Sequence, residues 1–430
     1  MVIGGGAREH ALAVRLASDP GVTNLICAPG NPGMAAVART IQADLARPDT
    51  LVALAAQERI DFTVVGPEAP LSLGIVDRFA ADKRLIFGPT AAAARLESSK
   101  AFAKAFMERH AVPTARFRVF DHADAALACV RSGEFEFPLV LKADGLAAGK
   151  GVVIATDRAE AEAAVTAAMS EGRFGEAGAR LVIEECLTGP EVSFFVVSDG
   201  THAVPSGTAQ DHKRIFDDDR GPNTGGMGAF APSPLVDATL ETRVLRDIVE
   251  PVIAGMAAEG YPFRGFLYVG LMLTASGPKV IEFNVRLGDP EAQVILPLIA
   301  EPLLPVLMAA ARGRLQQPAV RLSHDKLVGV VIASRGYPES TESGRPIHGV
   351  ADAEQTGAAV YHAGTANRDG QLVSAGGRVL TVVGRGTTFA DAIERAYAGV
   401  AKISFDGMQY RRDIGRKALI DGLQRGDRRS

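Results

Sequence analysis

The chain has 430 residues, 47% of them hydrophobic and 22% charged, with a formal net charge of −4. That length suits about three globular domains with ample core, and the near-neutral balance gives no pull toward nucleic acid or an anionic membrane. Cys27, Cys129 and Cys186 are too widely spaced for zinc or a disulfide framework, which fits a reducing cytoplasm, and neither a membrane span of ~20 apolar residues nor a signal peptide is present.

Met1-Val2-Ile3 reads as a strand entering Gly4-Gly5-Gly6-Ala7-Arg8-Glu9-His10, and a helix follows with Ala11, Leu12, Arg15 and Leu16 at helical spacing. Three residues are short for a central strand, which leaves open that the chain begins a few residues into it. Strands at 25–28, 62–65 and 85–87 alternate with helical patterns near 50–58 and 72–82. This alternation predicts a parallel, doubly wound α/β unit, with its ligand beyond the carboxyl ends of the strands. Four Gly- and Pro-rich loops fall there, at 4–6, 29–33, 66–70 and 88–90. The dinucleotide fingerprint counted from Gly4 fails, because Glu9 stands where the third glycine belongs. A small phosphorylated ligand on the helix N-terminus is the preferred reading, and ordinary tight turns are the alternative.

Ser98-Ser99-Lys100 opens the next helix and puts a cation in its first turn, where the helix dipole disfavours one. Either an anionic partner sits nearby or the lysine is simply exposed. The strand 138–142 ends in Lys142, and Asp144-Gly145-Leu146-Ala147-Ala148-Gly149-Lys150-Gly151 joins it to the strand 152–155. This is a hairpin with a cationic glycine loop. It is not a P-loop, since the spacing is one short and Gly151 replaces the Ser or Thr; a loop of this kind can close over phosphates as a lid. The strand 180–187 carries Glu184 and Glu185, and Glu191 follows; they suit an adenine edge and ribose hydroxyls, or are solvated strand-end acids. Gln210-Asp211-His212-Lys213-Arg214 and the glycine-rich 221–228, with Asn223 and Thr224, come next.

In Lys279-Val280-Ile281-Glu282-Phe283-Asn284-Val285-Arg286 strand alternation predicts Ile281, Phe283 and Val285 on one face and Glu282, Asn284 and Arg286 on the other. A carboxylate, an amide oxygen and a guanidinium on one face suit Mg²⁺ held against phosphate, or form the solvated side of an amphipathic edge strand. The turn Leu287-Gly288-Asp289-Pro290-Glu291 follows. Beyond it, strands at 327–333, 358–362 and 378–383 and a helix from 389 to 402 predict a small α+β unit, and residues 425–430 a frayed tail.

Lys100, Lys142, the glycine loop, Glu184-Glu185, Glu282 and Asn284 occur in the order of the ATP-grasp superfamily. The chain resembles, within it, the phosphoribosylamine–glycine ligases. GGGAREHA, APGNPG, VGPEAPL, FGPT, LKADGLAAGKGV, QDHKR, GPNTGGMG and KVIEFNVRLGDPE carry the likeness from Gly4 to about Glu291, and HAGT and AGGRVL continue it. It departs from many superfamily relatives at Val269-Gly270-Leu271, which holds no second metal carboxylate, and its N-terminal strand is short.

The resemblance implies an N-terminal α/β substrate-binding domain at 1–98, an ATP-grasp domain at 99–322 with a lid subdomain at about 118–188, and a C-terminal α+β domain at 323–430. It implies a cytoplasmic, monomeric enzyme acting on glycine, 5-phosphoribosylamine and ATP through glycyl phosphate, with no nucleic acid or membrane partner. Glu282 and Asn284 would hold Mg²⁺ or Mn²⁺. Lys100, Lys142, Gly145, Gly149, Lys150, Gly151, Glu184, Glu185 and Glu191 would bind ATP, with Arg286, Lys142, Asp211 and Lys213 catalytic. Gly4, Gly6, Asn31, Gly33, Glu68, His212, Asn223, Thr224, Gly225, Gly226 and Asp289 would bind substrate. Two rivals remain: an ATP-grasp enzyme for a different acid, against which 210–214 and 221–228 argue, and a non-catalytic nucleotide-binding protein, which would be expected to have lost Glu282, Asn284 or Lys142.

Overall fold

The strand Val2–Gly4 is the centre of a five-stranded parallel sheet, flanked by Ile26–Pro29 and Thr63–Val65, with Arg39–Thr40 and Ile86–Phe87 at the edges. Its brevity is tolerated because it is paired on both sides and Val2 and Ile3 are fully buried. In this computed structural model residues 1–145, 151–171 and 175–420 are described. The helical pattern near 72–82 resolves into Glu68–Ser72 and Ile75–Ala81, parted at Gly74, whose φ of 79° is left-handed.

The hairpin expected around Lys142 forms: Leu139–Ala143 and Val152–Ala155 pair antiparallel, and Leu181–Glu185 and Phe117–Phe120 complete a four-stranded sheet. Most of the connecting loop, with Gly149 and Lys150, lies outside the described residues, as does the tail at 425–430.

The largest sheet has eight strands, in the order Gly277–Asn284, Arg264–Thr274, Glu191–Asp199, Ala203–Asp211, Gly228–Ala231, Lys326–Ala333, Arg378–Gly386 and Ala359–His362. The C-terminal strands therefore do more than pack on the central unit. Lys326–Ala333 hydrogen-bonds to Gly228–Ala231, so one sheet runs through both and neither exposes an edge at the junction. One face buries Phe194, Val196, Leu267, Val269, Val280 and Phe283 under helices that bring Phe106, Ile248 and Val252. The other buries Phe195, Val197, Phe266 and Tyr268 under the segment that brings Val294, Leu296, Leu303 and Leu307.

One expectation for the strand Gly277–Asn284 needs correction. Gly270 pairs with Glu282 but Leu271 pairs with Val280, so Ile281 is the extra residue of a β-bulge. Val280, fully buried, takes the inward place expected of Ile281, which is only half-buried. The bulge resets the phase, and from Glu282 onward the alternation holds.

Candidate functional site

Phe283 and, just past the strand's end, Val285 are buried in the core, with Glu282, Asn284 and Arg286 on the opposite, half-open side. No hydrogen bond or ion pair joins the Glu282 carboxylate to another described residue, although the side chain is half-buried. Arg286, by contrast, makes four polar contacts: its Nε lies 3.1 Å from Glu68, Nη2 2.8 Å from Glu97 and 3.3 Å from the Asn284 side-chain oxygen, and Nη1 donates to the Leu287 carbonyl at 3.1 Å. Burial would lower its pKa, but Glu97 and Glu68 outweigh that and raise it. Burial would likewise raise the Glu68 carboxyl, but Arg286 and Arg8 hold it down at about 2. At Glu97 burial wins and the carboxyl is raised.

Beside this face the hairpin strand presents Lys142, ion-paired to Glu184 and donating to the Ile281 carbonyl at 3.2 Å. Glu184 is shared with Lys104, which donates at 2.8 Å to Thr114; Thr114 in turn reaches the Val280 carbonyl at 2.7 Å. Both lysines and Glu184 are buried. Burial pulls Lys104 down to about 8 against the attraction of Glu184. Burial would raise Glu184, but Lys142 and Lys104 keep it lowered. Lys100 donates to the Gly145 carbonyl at 2.8 Å, and Asp144 caps the helix start through the Ala101 amide at 3.1 Å. Burial lowers Lys100, with Glu282 pulling the other way. Glu185 sits further out, accepting from Lys279 at 3.0 Å and the Arg116 amide at 3.1 Å.

Across the sheet, Ala209, Ser193, Gly270 and Glu282 are successive register partners on four strands. Paired residues share a face, so small side chains form a floor between Glu282 and Asp211. A Cβ at Gly270 would come within 3.2 Å of Glu282 and 3.1 Å of Tyr268. Around this floor stand Asp211, Lys213, Glu191 and Glu291. Lys213 bonds Glu191 at 2.6 Å, and its pKa is raised: Asp211 and Glu191 overcome the cost of burial. Asp211 is raised by burial, with Glu191 adding and Lys213 opposing. Two cations, a free carboxylate and a ring of acids around a small-residue floor suit a phosphate-bearing ligand with its metal next to a small zwitterion.

Family profiles match almost the whole chain: "Phosphoribosylglycinamide synthetase, N domain" at 1–97, its ATP-grasp (A) domain at 98–292 and its C domain at 327–417. The chain belongs to the phosphoribosylglycinamide synthetase family. Curated relatives named phosphoribosylamine–glycine ligase include one from Xanthomonas campestris, 51% identical over 97% of both chains, and one from Ralstonia nicotianae, 50% identical over 97% of this chain and 99% of the relative. A crystal structure of phosphoribosylamine–glycine ligase from Thermotoga maritima is 34% identical, covers 96% of this chain and 98% of its own, and superimposes with a TM-score of 0.82. A biotin carboxylase domain from Hydrogenobacter thermophilus, solved with ADP and magnesium, shares the fold at 17% identity and a TM-score of 0.71, covering 95% of this chain and 91% of its own.

In this synthetase-family chain the N-terminal loops are tightly used. The Gly6 amide donates to Glu9 at 2.7 Å, so the helix start holds its own carboxylate there. Gly4, at φ 126°, leaves room for Glu9: a Cβ would lie 2.4 Å from its Cγ. Asn31 donates to the Gly5 carbonyl at 2.9 Å and the His362 carbonyl at 2.7 Å. Gly33 packs against His10 and His362, where a Cβ would lie within 2.6 Å of both rings. Asn31 and Gly33 thus tie this loop to the C-terminal strand Ala359–His362. Glu68 links Arg286 to Arg8, 3.7 Å away.

Asp211 and Lys213 join the cluster, but His212 does not. It lies one residue past the strand Ala203–Asp211, buried and edge-on to Phe230, and both ring nitrogens lack hydrogen-bond partners among the described residues. Its ring packs against Phe230, part of the core under the C-terminal strands, while Lys213 reaches Glu191. Burial pushes its pKa down to about 3, with Arg411 adding. Thr224 closes the glycine-rich turn, its hydroxyl donating to the Lys213 carbonyl at 2.8 Å and accepting from the Gly226 amide at 2.9 Å. Asn223 ends the strand Arg220–Asn223 beside it. Gly226 has φ 110°, and a Cβ there would lie 2.4 Å from Pro290. Arg378 donates to the carbonyls of Gly225 at 2.6 Å and Asp289 at 2.5 Å and pairs with the Asp289 carboxylate at 3.2 Å.

Glu97, Lys104, Glu291 and Arg378 escaped the sequence reading. Lys104 had a signal, standing one helical turn after Lys100. Glu291 ends the stretch KVIEFNVRLGDPE. Glu97 and Arg378 are single charges whose partners are remote in the chain.

Proposed function

We propose that this chain joins glycine to 5-phosphoribosylamine, consuming ATP and giving glycinamide ribonucleotide, ADP and phosphate. The observation that carries this is the unpaired Glu282 carboxylate beside Asn284 and Arg286, with Lys100 and Lys142 converging from two other elements. A half-buried carboxylate with no hydrogen-bond or ion-pair partner among the described residues is suited to a site that takes up a charged ligand. The donors fit a hard divalent ion: Glu282 and Asn284 offer oxygens, and no group of three or more His, Cys, Asp or Glu suited to a metal occurs among the described residues, as expected where nucleotide and water complete the shell. Bound there, Mg²⁺ or Mn²⁺ would neutralise charge developing on the ATP phosphates.

Glycine's carboxylate is a poor acyl donor and must first be activated. Its attack on the γ-phosphoryl group gives glycyl phosphate, and the sugar amine then displaces phosphate. Lys100 and Lys142 hold phosphate oxygens, Arg286 stabilises the transferring group, and Asp211 and Lys213 hold glycine on the small-residue floor. Glu184 is committed to Lys104 and Lys142, so its part in ATP binding is to place Lys142, while Glu185 and Glu191 flank the nucleotide. The enzyme works as a cytoplasmic monomer in this reading; no helix among the described residues is long and apolar enough to cross a membrane. Steady-state phosphate release is the test. Release that needs glycine and 5-phosphoribosylamine together supports the assignment, and release driven by bicarbonate or another acid overturns it.

The sugar phosphate is assigned to the N-terminal loops, which leave one edge of the parallel sheet near Arg8. Gly6→Val tests this. Gly6 has an ordinary φ of −86°, and its Cβ would meet only the tip of Glu9, 2.9 Å away, so the fold should survive. KM for 5-phosphoribosylamine is expected to rise about tenfold, on the order of 1.4 kcal/mol, with KM for ATP nearly unchanged. The reverse pattern would exchange the two sites.

A further inference from the structure

Glu291 precedes the short helix Ala292–Ile295 and is 4% exposed. Ser193 donates to its Oε1 at 3.2 Å and lies 3.3 Å from the Tyr268 hydroxyl. A Cβ at Gly288 would lie 2.4 Å from Glu291 Oε2, so the carboxylate folds back over its own loop and needs glycine there. That loop starts at Arg286, held to Glu68 of the N-terminal unit, and passes Asp289, held by Arg378. Glu291 therefore lies against Ser193 of the small-residue floor, on the loop that runs from the Glu282 strand past the N-terminal unit.

Making the amide from an acyl phosphate demands a base. The amine's lone pair attacks the carbonyl carbon and the carbon–nitrogen bond forms. The nitrogen, now cationic, sheds a proton; the carbon–oxygen bond to phosphate then breaks, and its electron pair leaves on the phosphate oxygen. Among the acids around the floor, Glu191 is ion-paired to Lys213, Asp211 stands beside that same lysine, and Glu282 is the residue proposed above for the metal. Glu291 forms no ion pair among the described residues.

We propose that Glu291 is the proton acceptor of the second half-reaction, taking the proton from the amine nitrogen of 5-phosphoribosylamine and passing it to solvent as phosphate leaves. This rests on the ligase reading above. The charged and titratable groups facing Glu291 are Asp211, Lys213, Tyr268 and Arg286. Burial, reinforced by Asp211, pushes its carboxyl up to about 7, with Lys213 and Arg286 opposing. A base with a pKa near the working pH is far stronger than an ordinary carboxylate and is still available unprotonated.

Glu291→Gln keeps the shape and an oxygen for Ser193 but cannot take the proton. Glycyl phosphate trapped by hydroxylamine as glycine hydroxamate should stay within about threefold of the parent, while ligation of 5-phosphoribosylamine falls about a hundredfold or more. In the parent, ligation should decline as pH drops through about 7, because the acceptor becomes protonated. Glu291→Gln should lose that limb, and Glu291→Asp should recover part of the rate. Ligation at parental rate with the acid limb intact overturns the proposal. So does loss of hydroxamate with a raised KM for glycine, which would make Glu291 a binder of glycine's ammonium group. Absence of glycine hydroxamate in the parent would instead sink the ligase reading itself.

Discussion

Glu282→Ala is expected to lower ligation by about three orders of magnitude at saturating Mg²⁺ while leaving the protein folded. A metal ligand at a phosphoryl-transfer site contributes several kcal/mol of charge stabilisation, each ~1.4 kcal/mol being tenfold in rate. Nothing in the fold depends on the side chain: it lacks a hydrogen-bond or ion-pair partner among the described residues, so truncation strands no buried group. Unfolding free energy should therefore fall by no more than about 0.5 kcal/mol from the parent. Steady-state kinetics and a urea titration of the same sample check both halves. A folded variant with near-normal kcat would remove the metal assignment.

Arg286→Met should fail in both respects. The guanidinium is held between Glu68 and Glu97, and it is the residue assigned to the transferring phosphoryl group. Glu68 would keep Arg8, but Glu97, whose side chain is 7% exposed, would keep only the Val285 amide at 2.8 Å. Removing one partner of a buried pair costs about 3 kcal/mol or more. The loss should depend on pH. The Glu97 carboxyl is already raised by burial, and without Arg286 it rises further. A carboxyl raised in the fold holds its proton more tightly there than in the unfolded chain, so stability falls as pH climbs above the unfolded value, about 4.3. The deficit against the parent should be smallest near pH 5 and larger at pH 8, read from urea midpoints. A deficit equal at both pH values would count against Glu97 as the stranded group.

Much of this site was legible because its chemistry sits in contiguous motifs. Alternation alone puts Glu282, Asn284 and Arg286 on one face, and in the fold Arg286 does reach Asn284. Nearness in the chain groups His212 with Asp211 and Lys213, but its ring packs into the core against Phe230. Alternation slips by one residue at Ile281, because a bulge depends on what the partner strand does.

The amino-acid sequence by itself determined the family, the alternating α/β character of the first hundred residues, the cationic hairpin and the acid–amide–guanidinium strand. Each is a local pattern whose period or composition needs no partner to be read. Only the tertiary structure decided what those groups face. It joined the C-terminal strands to the central sheet and thereby brought Arg378 onto the Gly225–Gly226 carbonyls and Asp289. It set Glu184 between Lys142 and Lys104, closed Glu97 and Glu68 on Arg286, and buried Glu291 beside Asp211. Burial and the charges of chain-distant neighbours set the ionisation of those groups, and neither exists until the chain has folded.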